Sequence, residues 1–174
     1  GLCSLNANTE GSCNVAVGRG ALDSNTTANN NTAVGACSLL NNTTGGNNTA
    51  LGFCSLQTNT TGASNVGVGL CSLQANTNGA TNTAVGRASL LSNTTGADNV
   101  AVGAYSLDAN LAGNCNVAIG RSALSTSTMG NQTAVGACAL FTNSTGHSNT
   151  AVGYLSSKLL TTACYTTSLG RQAL

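Results

Sequence analysis

The chain has 174 residues, of which 5% are charged and 3% aromatic, with no proline and a formal net charge of +1. This charge balance excludes the basic surface on which nucleic acid binding depends. No apolar run approaches the 18 residues that a membrane-spanning helix requires. Low complexity often indicates disorder, but disordered chains lack regularly spaced apolar positions, and this chain has them. We therefore expect an ordered protein with neither a nucleic acid partner nor a membrane-inserted segment.

The unit Asn-Thr-Ala-Val-Gly at residues 31–35 recurs with small changes along the whole chain. Its closing glycines lie 17 residues apart except for one shorter interval: Gly18, Gly35, Gly52, Gly69, Gly86, Gly103, Gly120, Gly136, Gly153 and Gly170. We place the one missing residue between Gly130 and Gly136. A fixed period of this length indicates a repeat architecture.

Each unit is predicted to form a short strand, because its side chains alternate between branched and small. The residue before the closing glycine is always branched and apolar, and this ladder is predicted to fill the core: Val17, Val34, Leu51, Val68, Val85, Val102 and Ile119, continued by Val135, Val152 and Leu169. The residue one place earlier is small, as at Ala33 and Ala50. It is predicted to lie on the opposite, outer face.

A leucine stands four residues after most closing glycines and forms a second predicted core ladder that includes Leu39, Leu56, Leu73 and Leu90. Two residues before these leucines comes a cysteine ladder, defined by Cys37, Cys54 and Cys71. The spacing Cys-Ser-Leu favours a second strand, with cysteine and leucine facing inward and the small serine outward.

A turn of the type Asn-Thr-Thr-Gly follows the leucine in most repeats. Glycine permits a positive φ, and asparagine bonds nearby backbone, so stacked turns are expected to align their amides in a ladder. The same asparagines stand in Asn-x-Ser/Thr sequons at Asn25, Asn42, Asn59, Asn93 and Asn143. These sequons are either glycosylation sites on exposed turns or a by-product of the repeat.

Stacked repeats with two short strands and two turns each predict an all-β fold, a parallel β-solenoid (β-roll or β-helix) of about ten 17-residue coils. Each coil offers few apolar side chains, so a further buried surface is expected to stabilise it. The small outer columns, alanine on the first strand and serine on the second, would let another backbone approach closely. We therefore predict a homo-oligomer, a trimer about the rod axis.

The units Asn-Val-Ala-Val-Gly at 99–103 and Asn-Val-Ala-Ile-Gly at 116–120 resemble the coil motif of trimeric autotransporter adhesin heads. The fuller unit, Ala-Val-Gly followed by Ser-Leu or Ala-Leu and then Asn-Thr-Thr-Gly, is similar to repeats of phage and viral tail-fibre proteins of the endosialidase-chaperone type. The resemblance covers essentially the whole chain. It implies a left-handed, trimeric roll. Because the chain ends at Leu174 in mid-repeat, residues 1–174 are expected to form a single repetitive segment of a longer fibre.

Eight cysteines raise the question of a metal site or disulfides. The cysteine ladder contains no Cys-x-x-Cys pair, which favours small buried thiols over a zinc site. Disulfides between neighbouring rungs or across one coil are the alternative. Cys13 and Cys115 share a turn column and Cys164 lies near it, so these three are predicted to be exposed or bridged thiols.

The sequence offers no paired carboxylates, no phosphate-binding loop and no acidic partner for His147, so we predict neither an enzyme nor a cofactor or metal site. The leading interpretation is a structural fibre or adhesin-like shaft on a cell surface or virion. It would contact a host surface, a glycan receptor or a neighbouring surface through the variable residues that follow the closing glycines. Alternatives are an ice-binding β-solenoid, whose threonines are expected to adjoin a glycine turn here, and an extracellular filament subunit that stacks end to end. A solenoid enzyme acting on polysaccharide would need clustered carboxylates.

Overall fold

The computed structural model describes residues 1–174 and contains ten three-residue strands and no helix. The strands are β1 (Val15–Val17), β2 (Thr32–Val34), β3 (Thr49–Leu51), β4 (Val66–Val68), β5 (Thr83–Val85), β6 (Val100–Val102), β7 (Val117–Ile119), β8 (Thr133–Val135), β9 (Thr150–Val152) and β10 (Thr167–Leu169). Each strand pairs in parallel with the next one in the sequence, in a single ten-stranded sheet. The fold is thus an all-β parallel β-solenoid with about 17 residues per coil, which confirms the predicted architecture.

The columns read from the sequence are stacks in space. Ala33 pairs with Ala16 on one side and with Ala50 on the other, so like residues lie on like residues. The same pairing holds between β7 and β8, where Ala118 pairs with Ala134 across the shorter repeat. The missing residue is therefore absorbed outside the sheet.

The strands face the opposite way from the prediction. The middle residue of β2 to β9 is buried, and Ala33 and Ala50 have no exposed surface, whereas Val34 is 38% exposed and Leu51 37% exposed. The physical reason is lack of room: a Cβ added at Gly67 would lie 2.6 Å from the Ser55 Oγ, so this side of the coil admits only small side chains. The predicted core ladder lies on the outer surface instead: Val17, Val34, Leu51, Val68, Val85, Val102 and Ile119.

The predicted second strand is a turn. Cys37 and Leu39 have φ angles of 57° and 49°, in the left-handed region, and neighbouring repeats copy this alternation. Ser38 and Leu39 are both fully buried, whereas a strand in the wall of a solenoid, with one face toward solvent, would expose one of two adjacent residues. The serine column therefore faces inward, and the Ser38 Oγ donates to the Gly35 carbonyl at 2.9 Å.

The core combines the leucine ladder with the alanines of the sheet. Leu39, Leu56, Leu73 and Leu90 have no exposed surface and belong to one hydrophobic cluster with the buried alanines. Both small columns that were predicted to receive a second chain are thus inside the coil. Any oligomer of this chain must use another surface.

Candidate functional site

A first asparagine ladder runs through the interior behind the leucines. Asn59 donates from Nδ2 to the Asn42 Oδ1 at 2.8 Å and to the Gly62 carbonyl at 2.9 Å, and its Oδ1 accepts from the Asn76 Nδ2 at 2.7 Å. The same pattern joins the rungs Asn8, Asn25, Asn42, Asn59, Asn76, Asn93 and Asn110. This confirms the predicted amide ladder, and it satisfies polar groups that would be costly to bury alone.

A second asparagine ladder precedes the strands. The Asn31 Oδ1 accepts from the backbone N–H of Asn48 at 2.9 Å, and the Asn31 Nδ2 donates to the Gly45 carbonyl at 3.0 Å. The Gly45 carbonyl also accepts from the Asn42 Nδ2, so the two ladders meet at one backbone atom in each coil. Side chains from two corners thereby hold each turn against the next coil.

The structure contradicts the interpretation of the ladder sequons as exposed glycosylation sites. Asn25, Asn42, Asn59, Asn93 and Asn143 have no exposed surface, and their Nδ2 atoms donate within the ladder or to a backbone carbonyl of the turn. The asparagine side chain turns inward because the ladder satisfies it there, while the two residues after it form the outside of the turn. The sequon motif alone does not show whether the asparagine side chain points inward or outward.

Four further sequons lie on the surface and were missed in the sequence reasoning. Asn30, Asn41, Asn47 and Asn131 are exposed and are followed at the second position by Thr32, Thr43, Thr49 and Thr133. The motif itself would have found them. The repeat pattern obscures these sequons, because Asn41 overlaps the ladder sequon at Asn42 and the other three lie just before a strand.

The shorter coil is repaired by Gln132 and Ser127, which stand where other coils have asparagine. The missing residue lies between Ser127 and Met129, since a Cβ at Gly113 would meet the Met129 carbonyl at 2.5 Å as other turn glycines meet the next turn. The prediction of a gap after Gly130 is therefore wrong. The longer Gln132 side chain donates from Nε2 to the Ser127 Oγ at 2.5 Å, and its Oε1 accepts from the Asn143 Nδ2. Gln132 also donates its backbone N–H to the Asn116 Oδ1, so it connects the second ladder to Asn143, where the first ladder resumes.

Gln132→Asn is expected to lower the free energy of unfolding by about 1–3 kcal/mol, because the shorter side chain leaves buried partners on Ser127 and Asn143 unpaired. Urea denaturation measures this change. A variant that combines Gln132→Asn with Ser127→Asn and one residue inserted after position 127 rebuilds a regular coil and should recover the loss. Equal stability of wild type and Gln132→Asn would contradict the bridging role.

The cysteine ladder lies at the wall of the coil rather than deep inside it. Cys54 is 5% exposed, whereas Cys37 and Cys71 on the adjacent rungs are half-buried. Burial, together with the neighbouring thiols of Cys37 and Cys71, raises the pKa of Cys54 above its ordinary value. All eight cysteines are free thiols in the structure, with Cys13 and Cys115 exposed and Cys164 half-buried.

Cys54 is expected to make the fold sensitive to alkali. A raised pKa keeps the thiol protonated in the folded chain, so its contribution to stability is full below the ordinary thiol pKa and is lost as the pH rises through the raised one. Between neutral and alkaline pH, the urea midpoint of wild type should therefore fall further than the urea midpoint of Cys54→Ala. Alanine already occupies this column at Ala88. Cys13→Ala, at an exposed thiol, should keep the wild-type slope.

The outer sheet face consists of the first and third residues of every strand. All of these side chains are valine, threonine, leucine or isoleucine, and none is charged. Along the third position Val85 and Val102 are each 37% exposed and Ile119 is 40% exposed. Because the strands are in register, these side chains form two straight rows with a spacing of about 4.8 Å. The third positions form a continuous apolar row, and beside it the first positions form an uncharged row of valine and threonine.

A second surface row contains the variable residues that follow the closing glycines. Phe53 is 55% exposed and Tyr154 is 51% exposed, and the Arg171 guanidinium lies over the Tyr154 ring at 5.8 Å from its centre. The row therefore faces outward, as its variability indicates. His147, at the far turn, packs edge-on against Tyr165 with ring centres 5.1 Å apart.

The comparisons with known proteins bring no relative. No family model, curated protein or solved structure matches the chain. No group of three or more histidine, cysteine, aspartate or glutamate side chains is placed to hold a metal ion. The chain has no helix with the length and apolar character needed to cross a membrane.

Proposed function

We propose that the chain is a structural shaft, a β-solenoid rod that associates with copies of itself through the outer sheet face and serves in an extracellular or virion fibre. The observation that carries this proposal is the uncharged strip of branched side chains across all ten strands. An apolar surface of this continuity on a chain with so few core side chains is suited to burial against a partner. The role is mechanical, with no catalytic step and no cofactor.

The asparagine ladders support a load-bearing role. They connect successive coils through side chains in addition to the 111 backbone hydrogen bonds of the chain, many of which join one coil to the next. A solenoid whose coils contact only their neighbours depends on each interface in turn. Buried amide pairs at most rungs make those interfaces strong and keep them in register.

A trimer about the rod axis is the arrangement that the adhesin-head resemblance implies. Three outer sheet faces turned toward a common axis would bury the rows that contain Val34, Leu51 and Val85. This surface replaces the small columns of the original prediction. The left-handed coil belongs to the same resemblance and is proposed with it.

The decisive experiment is the mass of the particle in solution. Wild type is expected to sediment as a multiple of its 17.0 kDa chain at micromolar concentration. The double variant Val85→Asp and Val102→Asp puts two charges in the centre of the outer sheet face and should sediment as a monomer that keeps its sheet circular dichroism. Thr61→Asp with Thr95→Asp adds the same charge at exposed turns and serves as the matched control.

A wild-type monomer at that concentration would contradict the oligomer. So would a double variant that remains oligomeric, because the interface would then lie elsewhere. Electron microscopy of the same samples separates closed trimers from rods that stack end to end into filaments, which is the filament alternative.

Ice binding is the second candidate function, and one correction favours it. Six of the ten strands begin with threonine, and these threonines lie on the outer sheet face with Val34 and its equivalents, a face that was predicted to point into the core: Thr32, Thr49, Thr83, Thr133, Thr150 and Thr167. Ice binding requires this face to be open, whereas the proposed oligomer covers it. Thermal hysteresis from a monomeric sample would therefore support ice binding and overturn the proposed interface.

Receptor contact is placed on the variable row, away from the outer sheet face. Phe53 and Leu70 on adjacent rungs are 55% and 44% exposed and offer an apolar contact, and Arg87 on the next rung adds a charge. A host surface or a glycan could be recognised there by a fibre whose sheet faces are already paired. Loss of cell or glycan-array binding in Phe53→Ala, with the oligomer intact, is the corresponding test.

A further inference from the structure

We propose that N-linked carbohydrate on the ladder sequons and the solenoid fold exclude each other, so that this chain folds only where those sequons escape glycosylation. The ladder sequons are Asn25, Asn42, Asn59, Asn93 and Asn143. The inference concerns where the protein can be made, and it stands independently of the fibre proposal.

Glycosylation from a lipid-linked oligosaccharide joins the asparagine Nδ2 to the anomeric carbon of the first sugar, releases the lipid pyrophosphate and removes one proton from Nδ2. In the folded chain both protons of the Asn59 Nδ2 are engaged, one with the Asn42 Oδ1 at 2.8 Å and one with the Gly62 carbonyl at 2.9 Å. Attachment of a sugar therefore removes one of two buried hydrogen bonds at each modified rung.

The space around these amides excludes a sugar ring. Asn59 has no exposed surface, and even a methyl group at Gly62 would lie 2.5 Å from the Asn59 Oδ1 and 2.4 Å from the Gly79 carbonyl. A modified side chain would have to leave the interior. That movement leaves the Asn42 Oδ1 and the Asn76 Nδ2 without their partners on either side.

The repeat multiplies this effect. Each coil is stabilised by its two neighbours, so one modified rung disrupts the interface above it and the interface below it. Asn25, Asn42 and Asn59 stand on three consecutive rungs. Modification of the unfolded chain at even some of these positions leaves no long run of intact coils.

The four surface sequons behave differently. Asn47 and Asn131 are exposed, at corners where the chain turns into a strand with φ angles of 60° and 61°. A sugar at these positions points into solvent and leaves both ladders intact. They supply an internal control, since glycosylation itself is tolerated there and only its position in the coil differs.

The experiment removes the ladder sequons and keeps the ladder asparagines. The third residue of each ladder sequon is an exposed threonine, so a five-fold alanine variant abolishes those sequons and keeps every ladder amide: Thr27→Ala, Thr44→Ala, Thr61→Ala, Thr95→Ala and Thr145→Ala. Alanine already occupies this turn position at Ala112. Wild type and variant are produced in bacterial cytosol and, behind a signal peptide, in cells that N-glycosylate secreted proteins. Intact mass, glycopeptide mapping, circular dichroism and Tm are then compared.

From bacteria both proteins should fold with Tm values within a few degrees of each other. From glycosylating cells we expect wild type to carry sugar on ladder asparagines and to lack the sheet spectrum. The five-fold variant should carry sugar on the surface sequons alone and fold as the bacterial protein does. Wild type that emerges folded from glycosylating cells with sugar on its ladder asparagines would overturn the proposal, whereas folded wild type whose ladder asparagines are bare would agree with it. A five-fold variant that folds in bacteria and fails in glycosylating cells would overturn it as well.

Discussion

Asn59→Asp is expected to lower the free energy of unfolding by about 4 kcal/mol or more, a large part of the stability of a domain this size. The substitution changes two donated protons into a carboxylate that faces two acceptors, the Asn42 Oδ1 and the Gly62 carbonyl. Burial and these acceptors will raise the pKa of the new aspartate. Its folded form is therefore favoured by protonation, and stability should partly recover as the pH falls through the raised pKa.

Urea denaturation of Asn59→Asp at pH 7 and pH 4 measures both the loss and its recovery. Asn78→Asp is the matched control, because Asn78 lies in the next turn with its amide exposed on the Thr61 hydroxyl. That change should cost less than about 0.5 kcal/mol at either pH. Equal losses at the two positions would show that the first asparagine ladder contributes no more than a surface contact.

The period, the strands and the turns could be predicted from the sequence because they are properties of spacing. Every closing glycine marks a strand end, and every strand stacks on the strand one repeat away. The Asn59 ladder was predicted for the same reason: identical residues in a stacked column must contact each other. Spacing also predicted the leucine ladder, since a leucine stands four residues after most closing glycines.

The direction of the strands could not be predicted from the same pattern. Alternation shows that Ala33 and Val34 lie on opposite faces of the strand, but it does not show which of the two faces is buried. The greater hydrophobicity of valine led to the prediction that valine is buried. The interior of the coil is too narrow for it, so alanine faces inward. A Cβ at Gly67 would lie 2.6 Å from the Ser55 Oγ and 3.4 Å from the Leu56 Cδ1, so the serines and leucines leave space only for small side chains against the sheet. The width of the coil depends on the side chains of all columns together, so no single column of the sequence predicts it.

The Cys-Ser-Leu turn was mistaken for a strand because its signal is conformational. Cys54 and Leu56 adopt φ angles of 54° and 52°, which non-glycine residues seldom do. Nothing in their side chains requires this. The conformation is imposed by the stack, in which the Cys54 N–H donates to one neighbouring coil and the Leu56 N–H to the other.

Gly52→Ala is expected to be among the most damaging single methyl additions in the chain, with a loss of about 4 kcal/mol or more. Gly52 has a φ of 133°, in a region that is essentially restricted to glycine, and its backbone strain in alanine costs about 1–3 kcal/mol. In addition, the new Cβ would lie 2.5 Å from the Gly69 carbonyl of the next coil. That atom is backbone in a packed stack, so relief requires the two coils to separate.

Two matched variants divide this cost into its parts, all measured by urea denaturation. Gly170 shares the conformation, with a φ of 121°, but its Cβ would meet nothing within 4 Å, so Gly170→Ala reports the strain without the clash. Gly46 has neither the backbone strain nor the clash, and alanine already occupies its column at Ala63 and Ala80. Gly46→Ala should therefore change the free energy of unfolding by less than about 0.5 kcal/mol. The expected order is Gly52 well above Gly170 and Gly170 above Gly46. A Gly52 variant no worse than the Gly170 variant would mean that the coils can move apart freely, and that a rod built from them is not stiff.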